Sequence, residues 1–163
     1  MMFRLSTADD LPRILDIYNQ VIARRTVTAD LQPVTRADRQ NWFDFHRNSS
    51  KYPLWVYEAD NHVLGWCSYS PFYQRAAYDG AAEVSFYLDK AVQGKGIGKL
   101  CVGFLIEQML AYRLHTLLAF VFGSNAQSLG LLHRMGFEIW GRLPQVADMQ
   151  DHFEDLVMLG FKS

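Results

Sequence analysis

The run Gln93-Gly94-Lys95-Gly96-Ile97-Gly98 constrains this chain most, because it joins a strand-like segment, Glu83 to Leu88, to a strongly apolar helical segment, Lys99 to Tyr112. Three alternating glycines let the backbone turn its amides toward one point. A helix start behind them adds unpaired N–H groups and a partial positive charge. A strand, a glycine loop and a helix in this order predict an α/β architecture whose loop cradles a pyrophosphate. A Walker loop needs four residues between its glycines and then Gly-Lys-Ser/Thr, and this loop has neither the spacing nor the hydroxyl. A dinucleotide fingerprint needs a later third glycine and an acidic residue ending the next strand, whereas here that strand, His115 to Phe122, runs into Gly123-Ser124. ATP, GTP and NAD are therefore disfavoured.

With 163 residues, 50% of them hydrophobic, the chain is expected to form one domain over residues 1–163 around a single core. A net charge of −1 and the lack of a basic run argue against a nucleic-acid partner. No apolar run approaches a membrane span and no signal peptide precedes the first strand, so the expectation is a cytoplasmic protein without a membrane partner. Cys67 and Cys101 each sit in an apolar segment and read as small hydrophobes. The five histidines show no ligand spacing, so no metal is expected.

Along the chain, Phe3-Arg4-Leu5 reads as a strand, Thr7 to Asp10 as a cap, and Leu11, Ile14, Leu15, Tyr18, Val21 and Ile22 as one face of a helix. Arg24 and Arg25 read as its solvated end, with a reach toward an acidic substrate as the alternative. Thr35 caps a second helix whose apolar face is assigned to Trp42, Phe43 and Phe45. Leu54 to Glu58 and Val63 to Ser70 form a hairpin around Asp60-Asn61. The aromatic, irregular stretch from Pro71 to Gly80 is expected to line a pocket. Asn125 opens a later helix that Gly136 ends, and the tail holds two strands, Glu138 to Leu143 and Phe153 to Phe161, split at Pro144.

Gln-x-x-Gly-x-Gly after a strand, a second strand ending shortly before Asn125, then Ser128 and Met135-Gly136-Phe137, together resemble the GNAT superfamily of acetyl-CoA-dependent N-acetyltransferases. Ile17-Tyr18-Asn19, Val27-Thr28-Ala29-Asp30, Ala77-Tyr78-Asp79 with Glu83 beyond it, and Trp140-Gly141 are similar to the phosphinothricin and methionine sulfoximine acetyltransferase branch. The resemblance implies a mixed, twisted central sheet with helices on both faces. It also implies acetyl-CoA as co-substrate, a small amino-acid-like amine acceptor and a homodimer.

It further implies roles for particular residues. Gly94, Lys95, Gly96, Ile97, Gly98 and Lys99 would hold the pyrophosphate. Phe86, Tyr87 and Leu88 would offer backbone groups to the pantetheine arm, the Phe86 amide would hold the oxyanion, and Asn125 and Ser128 would contact the arm from the later helix. Tyr73, Gln74 and Arg75 on one segment and Glu83, Val84 and Ser85 on the other resemble the two substrate-contacting segments, with Tyr78 shaping the loop. A guanidinium fork suits a carboxylate, so Arg75 is the expected partner for an acceptor's carboxylate. Strand alternation puts Glu83 opposite Val84, Phe86 and Leu88, and a carboxylate partly desolvated there would act as general base. Many members carry a tyrosine seven residues after the asparagine to protonate the leaving thiolate, and this chain has Leu132 there. The general acid is left open between water and departure of an unprotonated thiolate. Rival readings are acetylation of a peptide N-terminus, a polyamine or another amine, and a non-catalytic acetyl-CoA sensor.

Overall fold

A computed structural model describes residues 2–163. The elements follow in the order β1 (Met2–Leu5), α1 (Leu11–Ile22), α2 (Arg36–Asn48), β2 (Leu54–Ala59), β3 (His62–Pro71), β4 (Ala81–Leu88), α3 (Ile97–Gln108), β5 (Thr116–Phe122), α4 (Ala126–Arg134), β6 (Glu138–Asp148) and β7 (Phe153–Lys162). The strands make one seven-stranded sheet in the order β1-β2-β3-β4-β5-β7-β6. Among the described residues only β4 and β5 pair in parallel, so the sheet is mixed.

Two apolar clusters, one on each face, hold the layers together. On one face, Leu11, Ile14, Ile17 and Val21 of α1 and Phe43 of α2 pack on Leu54, Val56 and Trp66. On the other, Cys101, Val102 and Leu105 of α3 and Leu132 of α4 pack on Cys67, Tyr69, Ala82 and Val84. Both cysteines are buried and unbridged. Burial pushes the Cys67 thiol well above its ordinary range, and Cys101 beside it adds to the effect, which fits an inert core side chain. No helix among the described residues is long and apolar enough to cross a membrane.

Local signals behave as their chemistry requires. Thr35 accepts from the Asp38 amide while Asp38 accepts from the Thr35 amide, a reciprocal capping box at the start of α2. Asp60 and Asn61 have φ of 51° and 60°, the pair of left-handed residues that a tight hairpin needs. Gly136, at φ +91°, turns the chain out of α4.

Three expectations are corrected. Phe45 is 44% exposed, and the core side of α2 is completed by His46, at 2%, one turn from Phe43. The ring of His46 is held by its Nδ1 contact with the Tyr52 carbonyl at 2.8 Å. Helix α3 begins two residues early, at Ile97, and stops at Gln108, where turns lead to Arg113 at φ +55°. Strand β6 does not end before Pro144 but continues to Asp148, with a register shift between Leu143 and Ala147. It is the last strand of the sheet, and an edge strand with a bulge tolerates a residue that cannot donate to the ladder.

Candidate active site

Strands β4 and β5 pair only at Ala81↔Thr116, Ala82↔Leu117 and Glu83↔Leu118. Beyond Glu83 they splay, and the gap opens toward the glycine loop. The direction of the free backbone groups follows from the ladder with β3. Asp89 donates to the Leu64 carbonyl at 2.9 Å, and the register Gly65↔Leu88 to Pro71↔Ala82 is unbroken. Antiparallel alternation then turns the backbone groups of Tyr87, Ser85 and Glu83 toward β3, and those of Val84, Phe86 and Leu88 toward the gap. Phe86 and Leu88 can therefore present main-chain groups to a bound arm. Tyr87 cannot, although the residue borders the cleft. The Leu88 carbonyl accepts from Gln93 Nε2 at 3.0 Å.

The cleft has a volume of about 370 Å³. Phe86, Tyr87 and Leu88 form one wall, Asn125, Gln127, Ser128, Leu131 and Arg134 the opposite one, and Gly94, Gly96, Gly98 and Lys99 the far end. Val21, Arg24 and Val27 close the third side. Arg24, Lys99 and Arg134 bring three cationic side chains to this lining and no carboxylate joins them, so its electrostatics favour an anion. Lys95 and Ile97 lie in the loop but do not line the cleft.

Gly94 and Gly96 have φ of +75° and +83°, and a Cβ on either would meet nothing within 4 Å. These glycines are needed for the left-handed turn and leave the surface of the loop open. Gly98 is needed for packing, since its Cβ would stand 2.9 Å from Leu131 Cδ2. The amides of Gly94, Gly96, Ile97 and Gly98 donate to no acceptor among the described residues, as expected at the head of a helix. Four free donors, a helix start and nearby cations fit a diphosphate.

The loop is anchored from behind. Asp89 accepts from the Ala91 amide at 2.7 Å, from Arg13 Nη2 at 2.6 Å and from Gln20 Nε2 at 3.0 Å. Burial would raise its carboxyl, but these three donors outweigh it and hold the group below the ordinary carboxylate range. Gln93 Oε1 accepts from Arg24 Nη2 at 2.5 Å. Arg24, read from sequence as a solvated helix end, thus braces the loop and lines the cleft. Nothing local in the sequence marks Arg24, Gln127 or Arg134 as cleft residues.

Asn125 serves two purposes: its Oδ1 accepts from the Ser128 amide at 3.1 Å as the cap of α4, and the residue borders the cleft. Leu132 is fully buried in the core between α3 and the sheet, and His133 beside it is exposed. Neither supplies a proton donor to the cleft.

Glu83 is half-buried on the α1/α2 face, and its carboxylate has no hydrogen-bond or ion-pair partner among the described residues. Burial pushes its pKa above the ordinary range. It is the last residue of β4 to pair with β5, so it stands where the splay begins. Tyr73, Gln74, Arg75 and Tyr78 are exposed in the loop that leads into β4, and they border neither this cleft nor the smaller cavity beside it. Tyr78 packs edge to face against both Phe72 and Tyr73, and the Lys51 ammonium lies 3.8 Å from Asp79. Among the described residues no group of three or more His, Cys, Asp or Glu could hold a metal ion.

The model of the acetyltransferase (GNAT) family matches residues 15–137. "Putative phosphinothricin acetyltransferase YwnH" of Bacillus subtilis is 42% identical over 165 residues, covering 98% of each chain. The L-methionine sulfoximine/L-methionine sulfone acetyltransferase of Pseudomonas paraeruginosa is 38% identical over 151 residues, covering 92% of this chain and 87% of its own. A solved structure of a GNAT superfamily phosphinothricin acetyltransferase from Sinorhizobium meliloti, in complex with AcCoA, superposes with a TM-score of 0.91 at 26% identity. It covers 99% of this chain and 87% of that one. The splayed strands, the open glycine cradle and these likenesses agree: the chain belongs to the GNAT family and is an acetyl-CoA-dependent N-acetyltransferase.

Proposed function

We propose that this enzyme acetylates the amine of a small amino-acid-like acceptor of the phosphinothricin, methionine sulfoximine or methionine sulfone type, with Glu83 as general base. The observation that carries the reading is the position of Glu83: partnerless, desolvated by its surroundings and at the point where β4 parts from β5. Bound acetyl-CoA supplies a thioester carbonyl to be attacked. An acceptor amine reaches neutral pH as an ammonium ion and must lose a proton before it is nucleophilic. A carboxylate with a raised pKa takes that proton more readily than an ordinary one, directly or through one water. The Phe86 N–H, turned into the gap without a ladder partner, is the donor assigned to the oxyanion. The Gly94 to Lys99 loop would hold the pyrophosphate, with Asn125 and Ser128 on the opposite wall.

Arg75 remains the proposed anchor for the acceptor's carboxylate. Its guanidinium makes no hydrogen bond or ion pair among the described residues, and its loop leads directly to Glu83. The names of the relatives above support the amino-acid class of acceptor. A homodimer is also proposed, and the exposed Ile139, Leu143, Val146 and Phe153 on the edge hairpin of β6 and β7 support it. Sedimentation of the purified protein at one mass per chain would rule it out.

The test of function is thiol release from acetyl-CoA with methionine sulfone, methionine sulfoximine, phosphinothricin, their decarboxylated amines, a polyamine and short peptides. Saturable turnover confined to the amino-acid acceptors, and reduced at least 100-fold in Glu83→Gln, is the expected result. Equal turnover of the decarboxylated amines would remove the anchor role of Arg75. Turnover of peptides or polyamines alone would replace the acceptor class.

A further inference from the structure

The turn between β6 and β7 reaches residues next to two walls of the cleft. On one side Arg25 Nη1, past the end of α1, donates to the Met149 carbonyl at 3.5 Å, and its neighbour Arg24 lines the cleft. On the other, the segment from Gly123 to Asn125 is held by the start of β7, and Asn125 lines the cleft as well. The β5–β7 ladder stops at Phe122↔Leu156. Beyond it the Gly123 amide donates to the Asp155 carbonyl at 2.9 Å. Ser124 gives both its donors to Glu154, the hydroxyl to Oε1 and the amide to Oε2 at 3.4 Å. Successive residues before α4 are thus fastened to successive residues of β7.

Glu154 is only 4% exposed, and no lysine or arginine among the described residues pairs with it. A buried carboxylate needs a matching charge or several donors. Here the cation is His152, whose Nε2 lies 3.2 Å from Glu154 Oε1 while its Nδ1 lies 2.8 Å from Asp151 Oδ1. Each ring nitrogen faces a carboxylate oxygen, so only the imidazolium, with a proton on both, can donate to both. The hydrogen bond to Asp151, followed by the one to Glu154, outweighs burial and holds His152 above the ordinary imidazole range. The other charges around this turn are Arg25, which faces Asp151, Asp148, which accepts from the Gln150 amide at 2.8 Å, and the Arg142–Asp155 pair at 3.3 Å.

We propose that Glu154 is a positioning residue for the cleft wall headed by Asn125, and that it acts as one half of a clasp whose other half is the imidazolium of His152. The inference rests on the reading that Asn125 contacts the arm of bound acetyl-CoA. With His152 charged, Glu154 is met by the Ser124 hydroxyl, the Ser124 amide and Nε2–H, and Ser124 fixes the residue that caps α4. A neutral ring turns a lone pair toward one of its two carboxylates, and the clasp loosens. Because His152 gains its partners on folding, the clasp contributes fully below the ordinary imidazole pKa and is lost as pH rises through the folded value. Cofactor affinity is thereby linked to the protonation of a residue that touches no part of the cleft.

Calorimetry of coenzyme A binding between pH 6 and pH 9 tests the clasp in the wild type, His152→Gln, Glu154→Gln and Asn125→Ala. At pH 6, His152→Gln and Glu154→Gln should each bind about fivefold more weakly than wild type. The wild type should lose affinity as pH rises, so that its advantage over His152→Gln disappears by pH 9. Linkage also requires the reverse effect: coenzyme A should move the titration of the His152 ring, followed by NMR, to higher pH in the wild type and not in Glu154→Gln. Equal affinity of wild type and both clasp variants at pH 6, with Asn125→Ala weakened, would overturn the clasp and leave the role of Asn125 standing. A deficit that stays constant with pH, with a ring titration that coenzyme A does not move, is the signature of a merely structural tie and would overturn it too. Unchanged affinity in Asn125→Ala would overturn the reading of Asn125 itself, and the inference with it.

Discussion

The guanidinium of Arg13 on α1 meets the carboxylate of Asp89 at 2.6 Å, which ties the first helix to the residue where β4 ends and the glycine loop begins. Asp89 is 7% exposed and has three donors, so it is a positioning residue for the cradle although it touches no part of the cleft. Asp89→Asn should raise KM for acetyl-CoA several-fold with little change in kcat. It should also cost about 1–3 kcal/mol of stability at neutral pH. The carboxyl is depressed in the folded protein, so its contribution is present above the ordinary carboxylate pKa and lost as pH falls through the folded value. Denaturation of wild type and variant should therefore differ at pH 7 and converge in acid.

Gly96→Ala isolates the conformational demand of the loop. Nothing crowds a methyl group there, so its cost comes from φ +83° alone, about 1–2 kcal/mol. The loop should relieve that strain by rotating, which turns its free amides away from their common point. Calorimetry should show weaker binding of coenzyme A by at least tenfold. Unchanged affinity would mean that the amides do not converge on the diphosphate.

Glu83→Gln should lower kcat and flatten the rising limb of the pH profile, because the proposed base works in its ionised form. Stability should move the other way. A carboxyl whose pKa is raised on folding contributes most below its unfolded value, and that contribution is lost as pH rises through the folded value. The amide carries no such penalty. The variant should melt at a higher temperature than wild type at pH 8 and lose that advantage near pH 4.

Leu132→Tyr tests whether the missing tyrosine is a defect that can be repaired. Leu132 is fully buried against the core, so the larger ring would overpack it at a cost of about 1–3 kcal/mol. The hydroxyl would have no path to the cleft without moving α4. The expected outcome is a lower melting temperature and no gain in kcat, measured by thermal denaturation and thiol release.

Features that depend on a few neighbouring residues were legible in the sequence. The glycine cradle, the Asp60-Asn61 turn, the Thr35 cap, the Gly136 stop and the opposite faces of Glu83 and Val84 all follow from local backbone chemistry. Each stands in the structure as expected. Mistakes arose where several residues compete for one face or one edge. Phe45 is as apolar as Phe43, and only the seat of α2 on β2 and β3 decides that His46 goes inward. Pro144 looks like a strand break until β6 is seen to be an outer strand, where a missing donor is tolerated.

The sequence by itself determined that an α/β chain would present a glycine loop at the head of a helix, because backbone freedom and unpaired amides are properties of the local chain. It also singled out Glu83 as the residue proposed as base. Only the tertiary structure decided that Arg24 and Arg134 reach the cleft, that Tyr87 turns its backbone away from the gap, and that Ser68 and Ser70 meet Ser85 around a cavity. These residues lie tens of positions apart, and their meeting depends on strand register, on where β4 leaves β5 and on how α1 and α2 cover the sheet. The raised pKa of Glu83 has the same origin, since desolvation comes from packing and not from the residue type.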